Sequence, residues 1–103
     1  MNFTQYQNRA AETAIYDRNH SVIYPALGLA SEAGEVAGKI KKRMRDNESD
    51  LLAIAHEIGD VLWYVAALCR DLNLSMEEVA LLNLKKLHER AEKGTLKGNG
   101  DER

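Results

Sequence analysis

Two acidic pairs in the sequence have the same spacing, Glu32 with Glu35 and Glu57 with Asp60. Residues three apart on a helix are neighbours on its surface, so each pair would present two carboxylates side by side. If the pairs meet, their like charges repel by roughly several kcal/mol per contact at low dielectric, and a cation must offset this. Carboxylate oxygens without thiolates or suitably spaced histidines favour Mg²⁺, with Mn²⁺ as a substitute. The spacing predicts a divalent metal site; the alternative is solvated helix surface.

A second polar group, Asn83, Lys86 and Arg90, follows helical spacings of three and four. An amide, an ammonium and a guanidinium beside a carboxylate cage suit a metal-bound polyphosphate, because the cations bind the phosphate oxygens that the metal leaves free. The alternative is a solvated face, or pairing with nearby acids such as Glu89.

The thiol and imidazole side chains give weaker signals. Cys69 lies on an apolar helix face, where a buried thiol is usually inert. The three histidines do not make the E-x-x-H pairing of di-iron bundles, so we expect His20, His56 and His88 at the surface or in an interface.

Two aromatic residues follow the second acidic pair. Tyr64 comes one turn after Asp60, so it is a candidate for lining the metal groove or a subunit interface. Trp63 can stack on a base or pack in a subunit contact. We favour packing, because aromatic side chains more often supply buried area.

The elements that must position these residues are all helical. There is one proline and one phenylalanine, and Ala, Leu, Glu and Lys dominate from residue 26 to 93, which predicts an all-α fold. Capping residues and turn clusters bound four helices, with 46–49 (Asp46, Asn47, Glu48 and Ser49) as a turn and Asn73 as a stop. The predicted helices run from Phe3 to Tyr16, from Pro25 to Arg45, from Asp50 to Leu72, and from a Ser75–Glu78 capping box to Lys93.

Three of the predicted helices carry an apolar stripe, which we expect to form the core. If helices two and three pack antiparallel through their stripes, the two acidic pairs converge in one groove. The stripes are Leu29, Ala33, Val36, Ala37, Ile40 and Met44 in helix two; Leu51, Ile54, Ile58, Val61, Leu62, Val65, Leu68, Cys69 and Leu72 in helix three; and Ala80, Leu84, Leu87 and Ala91 in helix four.

Composition limits the class of protein further. The chain has 103 residues, 29% of them charged, with 14 basic and 16 acidic side chains. This predicts one domain over residues 1–93 with a glycine-rich tail over 94–103, and no nucleic-acid partner, because there is no basic excess. The apolar stretches are interrupted by charges and the N-terminus lacks a leader pattern, so we expect no membrane partner. A single cysteine fits a cytoplasmic location.

The run LGLASEAGEVAGKIKKRMRD, followed by LAIAHEIGDVLWYVAAL, resembles the MazG-type nucleotide pyrophosphohydrolases of the all-α NTP pyrophosphatase superfamily. Their signature is an E-x-x-E and an E-x-x-D separated by a variable spacer, matched here by Glu32/Glu35 and Glu57/Asp60. The resemblance covers roughly residues 26 to 93. Many longer relatives have a further acid before the first pair, where this chain has Ser31.

The resemblance implies a four-helix MazG-like bundle, assembled as a homodimer or a dimer of dimers. It implies Mg²⁺-dependent hydrolysis of a nucleoside triphosphate, such as dGTP or dCTP, to the monophosphate and pyrophosphate. In that case the four acids bind the metal, Glu32 or Glu35 acts as general base, and Asn83 and Lys86 contact phosphate or sugar, with Tyr64 and Arg90 also at the substrate. The alternatives are a catalytically silent helical interaction module, or a relative that acts on dUTP or phosphoribosyl-ATP.

Overall fold

The computed structural model describes residues 1–47 and 50–103, and all regular structure in these residues is helical. This confirms the all-α fold class. The helices are α1 (Phe3–Ala11), a short 3₁₀ helix (Arg18–His20), α2 (Ile23–Asp46), α3 (Leu51–Asp71) and α4 (Met76–Lys93).

The first helix ends at Ala11, so the prediction that it continues to Tyr16 is wrong. The hydroxyl of Thr13 donates to the carbonyl of Ala10 (3.0 Å), and such local bonds compete with helical ones. Further along, the hydroxyl of Tyr16 donates to the carboxylate of Asp71 in α3 (2.6 Å), so this segment is bound to α3 rather than extending α1. The other predicted helix ends agree with the structure to within two residues, and Pro25 lies in the first turn of α2.

The turn between α2 and α3 begins at Asn47, which adopts a left-handed conformation (φ 53°). The carboxylate of Asp50 accepts from the backbone N–H of Ala53 (3.0 Å) and caps α3. Glu48 and Ser49, the other predicted turn residues, lie outside the described residues.

Capping also bounds α4. The hydroxyl of Ser75 accepts from the backbone N–H of Glu78 (3.2 Å), which confirms Ser75 as the cap. The return bond of the predicted capping box, from the Ser75 N–H to the Glu78 carboxylate, is not formed among the described residues. Asn73 (φ 58°) and Gly94 (φ 71°) lie in the left-handed region just after α3 and α4, as expected of residues that end helices.

The centre of the molecule is α3, which contacts α1, α2 and α4. The amide of Gln7 ties α1 to the start of α4, because it donates to the carbonyl of Leu74 (3.0 Å) and accepts from the N–H of Met76 (3.0 Å). Cys69 is buried here, as predicted. The core cluster consists of Ala66, Cys69 and Met76, with Tyr6, Ala10, Leu62 and Val65 packed against it.

Many residues of the three predicted apolar stripes are exposed in the single chain, so the stripes do not form a closed core within it. The radius of gyration is 16.3 Å, against about 13 Å for a compact domain of 100 residues. The helices of one chain are therefore packed less compactly than those of a typical domain of this size. The exposed stripe residues include Ile40, Met44, Leu51, Ile58, Leu72, Leu84 and Leu87.

The carboxylate of Asp71, at the end of α3, holds the segment that leads into α2. It accepts from the hydroxyl of Tyr16, from both terminal nitrogens of Arg18 (3.1 Å) and from the backbone N–H of Val22 (3.0 Å). Val22 has a φ of 69°, which is strained for a β-branched residue. Asp71 therefore stabilises the conformation from which α2 starts.

By length and composition, α3 is apolar enough to cross a membrane. The central helix of a helical bundle has the same properties, and α3 contacts the three other α-helices of the described chain.

Candidate metal and nucleotide site

Three carboxylates meet where α2 packs against α3. Glu32 of α2 faces Glu57 and Asp60 of α3, and one oxygen from each lies within 4.8 Å of the others. We call these three residues the acid cluster. The structure thus brings together three of the four predicted metal ligands, and it does so because α2 and α3 pack side by side.

Glu35, the fourth predicted ligand, is exposed on α2 one turn after Glu32. It lies outside the acid cluster, although its negative charge acts on Glu32.

The charges that act on the pKa of Glu32 are those of other acids. Burial raises the pKa of Glu32, and so do a hydrogen bond with Glu57 and the negative charges of Asp60, Glu57 and Glu35. Carboxylates in this arrangement share a proton or bind a cation. A donor set made only of carboxylate oxygens fits Mg²⁺ or Mn²⁺.

Tyr64 fills the space between the two helices beside the acid cluster. A Cβ on Gly28 would overlap the Tyr64 ring, so the ring lies directly against the backbone of α2. Burial, contact with Tyr24 and the charges of Glu32 and Asp60 raise the pKa of Tyr64 to about 12. The phenol is therefore neutral at physiological pH.

A surface depression of about 340 Å³ adjoins the acid cluster and is lined by Thr13, Glu32, Asp60, Trp63 and Tyr64. The sequence gives no sign of the role of Thr13, because its spacing predicts a helix there and the structure has a turn. Gly28 was not predicted as a site residue, although its signal was available: a glycine inside a helix is costly and often marks a close approach.

The predicted phosphate-binding residues of α4 lie elsewhere in the single chain. Asn83 and Lys86 line a separate depression of about 530 Å³, together with Val79, Leu82, Lys85 and Glu89. The ammonium of Lys86 is 3.1 Å from the carboxylate of Asp101.

Arg90 is 5% exposed and its guanidinium binds the tail. Nη2 donates to the carbonyl of Asp101 (3.0 Å) and to its carboxylate (3.3 Å). Its contacts in this structure hold residues 94–103 against α4. The lining of the acid depression thus includes neither Lys86 nor Arg90.

The fold and the acid cluster define an all-α protein with a carboxylate site suited to a divalent cation. The sequence profile of the MazG nucleotide pyrophosphohydrolase domain matches residues 21–95, so the chain belongs to the MazG nucleotide pyrophosphohydrolase family. It is similar to the Gene 37 protein of Mycobacterium phage L5, with 41% identity over 112 aligned positions that span 95% of this chain and 96% of the phage protein. That name states no activity. No solved structure matches the chain.

Proposed function

We propose that this protein is a Mg²⁺-dependent nucleoside triphosphate pyrophosphohydrolase, which converts a nucleoside triphosphate and water to the monophosphate and pyrophosphate. The observation that carries this proposal is the acid cluster, built from the E-x-x-E and E-x-x-D helices of a chain in the MazG family.

Glu32, Glu57 and Asp60 would hold the metal, with Glu35 reaching it from the next turn of α2. Relief of the repulsion at Glu32 favours cation binding, because a divalent charge offsets several carboxylates at once. When bound, Mg²⁺ supplies neutralisation of phosphate charge and a lowered pKa for a water ligand. Mn²⁺ would substitute for it, since it also accepts oxygen ligands.

The proton of the attacking water would pass to a carboxylate of the E-x-x-E pair, either Glu32 or Glu35. Both lie on the same face of α2, and the exposed Glu35 is open to solvent. Tyr64 stays protonated near this site and can donate a hydrogen bond to the substrate.

The groups that contact the phosphates and the sugar would come from Asn83, Lys86 and Arg90 of α4. In the single chain these residues do not line the acid depression, so we propose that a second copy completes the site. The exposed apolar residues of α4 support assembly as a homodimer or a dimer of dimers, because an interface would remove apolar side chains from water. They include Val79, Leu81, Leu82, Leu84 and Leu87.

Sedimentation at micromolar concentration tests the assembly. We expect a dimer or a tetramer, and a stable, active monomer would contradict it.

We further propose deoxynucleotides such as dGTP or dCTP as substrates, in the cytoplasm, without a membrane or nucleic-acid partner. The other candidates within the enzyme class are dUTP and phosphoribosyl-ATP. Pyrophosphate release from a panel of the eight common (d)NTPs, with dUTP and phosphoribosyl-ATP added, identifies the substrate.

The decisive assay measures pyrophosphate release with Mg²⁺ and with EDTA, for the wild type and for Glu57→Gln. We expect turnover only with metal, and loss of turnover in Glu57→Gln with an unchanged circular dichroism spectrum. Full activity in EDTA would contradict the mechanism. A folded wild-type protein that releases pyrophosphate from none of these nucleotides would instead support the silent interaction module.

A further inference from the structure

Four of the six aromatic residues of the chain form one group beside the acid cluster. The rings of Tyr16 and Tyr24 stack with centroids 4.8 Å apart, and Trp63 meets Tyr16 and Tyr64 edge to face at 6.4 and 5.0 Å. We call Tyr16, Tyr24, Trp63 and Tyr64 the aromatic group. Trp63 and Tyr64 line the same depression as Glu32 and Asp60, so aromatic and carboxylate surfaces are contiguous.

The indole of Trp63 is held in a defined orientation. Its Nε1–H donates to the hydroxyl of Thr13 (2.8 Å), and that hydroxyl donates in turn to the carbonyl of Ala10 (3.0 Å). The polar atom of the indole is therefore satisfied inside the chain, so the indole contributes aromatic carbon surface to the lining of the depression. The side chain is only partly buried, which leaves this surface accessible.

Packing within the chain accounts for the position of Tyr64, but it does not by itself account for the position of Trp63. Tyr64 is packed against Gly28 between the helices, so its position is fixed by helix packing. Trp63 lines the depression, and its hydrogen bond to Thr13, in the turn that follows α1, orients it. An oriented, partly exposed indole next to a metal-binding carboxylate cluster is suited to a ligand that has both a flat aromatic part and an anionic part.

We propose that Trp63 is the stacking surface for the nucleobase of the substrate, and that Thr13 is the positioning residue that orients it. This inference rests on the proposed function, because the phosphates must lie at the acid cluster for the base to reach Trp63. Base stacking on an aromatic ring tolerates different bases, since every base has a π face. Trp63 therefore supplies affinity for nucleosides as a class, and base choice comes from other residues.

Trp63 is the only tryptophan of the chain, so its fluorescence reports on this one place. We expect saturable quenching when Mg²⁺ and a non-hydrolysable α,β-methylene deoxynucleoside triphosphate are added to the full chain. Mg²⁺ with inorganic tripolyphosphate, which has the charge and no base, should leave the emission nearly unchanged. Equal quenching by tripolyphosphate would overturn the proposal.

Kinetics separate stacking from structure. We expect Trp63→Leu to raise KM for the nucleotide about tenfold or more with little change in kcat, and Trp63→Phe to keep KM within about threefold. Thr13→Val, which keeps the shape and removes the acceptor, should raise KM by a smaller factor, and Thr13→Ser should restore it. An unchanged KM in Trp63→Leu would overturn the proposal.

The competing role of Trp63 is packing against a second copy of the chain. Sedimentation of Trp63→Leu tests this, and we expect the same assembly as the wild type. A loss of assembly in Trp63→Leu and in Trp63→Phe would overturn the stacking role. If the wild type quenches with nucleotide and releases no pyrophosphate, the proposed function fails while the nucleobase site stands.

Discussion

Asp71 and Glu32 are both carboxylates held between helices, and their surroundings are opposite. Asp71 has no exposed side-chain surface and accepts from Tyr16, Arg18 and Val22. Burial alone would raise the pKa of Asp71, but these hydrogen bonds and the Arg18 charge outweigh it and lower the pKa to about 2. Around Glu32, burial and the neighbouring acids act in the same direction and raise the pKa.

The difference separates a structural acid from a candidate functional one. At Asp71 the chain provides donors for the carboxylate, so nothing further is needed and the site orders the start of α2. At the acid cluster the same chain places carboxylates against each other, at a cost to its own stability. Perturbed groups of this second kind are typical of functional sites. The comparison therefore supports the proposal that Glu32, Glu57 and Asp60 bind a metal, and it gives Asp71 a structural role.

The largest expected effect is on catalysis. Glu57→Gln or Asp60→Asn should lower kcat/KM for pyrophosphate release by about 100-fold or more, because each removes a charged ligand of the metal. Folding should survive, since like-charge repulsion falls in both variants. The matched control is Asp46→Asn at the end of α2, an exposed acid paired with Arg45, which should behave as wild type. Wild-type turnover in Asp60→Asn would end the ligand assignment.

A large effect on stability is expected at the structural acid. Asp71→Asn should lower the free energy of unfolding by roughly 2 to 4 kcal/mol, because it leaves the partners of this buried side chain poorly paired. Urea denaturation measures this, and the folded fraction should keep its affinity for Mg²⁺. An unchanged urea midpoint would show that Asp71 does not order this region.

The pH dependence of stability sharpens the same contrast. Asp71 has a folded pKa of about 2, below its ordinary value of 3.8, so its stabilisation is present above pH 3.8 and is lost as the pH falls towards 2. The amount is about 2 kcal/mol by linkage, from 1.36 kcal/mol per pKa unit. Thermal unfolding of the metal-free protein between about pH 6 and pH 2.5 should show this loss, and Asp71→Asn should lack that part of it. Identical pH profiles for the two proteins would contradict the assignment.

The smallest effect is expected in the tail. Lys86 and Arg90 lower the pKa of Asp101, yet its side chain is 84% exposed, and exposed ion pairs contribute little. Asp101→Asn should therefore lower the Tm far less than Asp71→Asn does. A comparable fall in Tm would mean that the tail is an integral part of the fold.

The sequence predicts the helices and the acid cluster well, because both depend on local spacing. Three- and four-residue periodicity placed Glu32, Glu57 and Asp60 on facing sides of α2 and α3, and the structure brings them together. The extent of burial could not be predicted in this way. The stripes show which faces are apolar, and they do not show whether the same chain or a second copy covers them, as the exposure of Leu84 and Ile58 illustrates.

Interactions between residues distant in sequence were also beyond prediction. The bond from Tyr16 to Asp71 and the bond from Trp63 to Thr13 join residues about fifty positions apart, and neither follows a periodic pattern. The end of α1 depends on these contacts, which is why the first helix is shorter than its sequence suggests. The ion pair of Lys86 with Asp101 likewise depends on how the tail folds back on α4.

The central claim is that the acid cluster binds a divalent cation, and Mg²⁺ titration followed by thermal unfolding tests it most directly. A ligand that binds only the folded state stabilises it by about 2.7 kcal/mol at a hundred times its Kd, so the Tm should rise with Mg²⁺ in the wild type and equally in Asp46→Asn. In Asp60→Asn the rise should be absent or should require far more Mg²⁺. An equal rise in Asp60→Asn, or none in the wild type, would contradict the account.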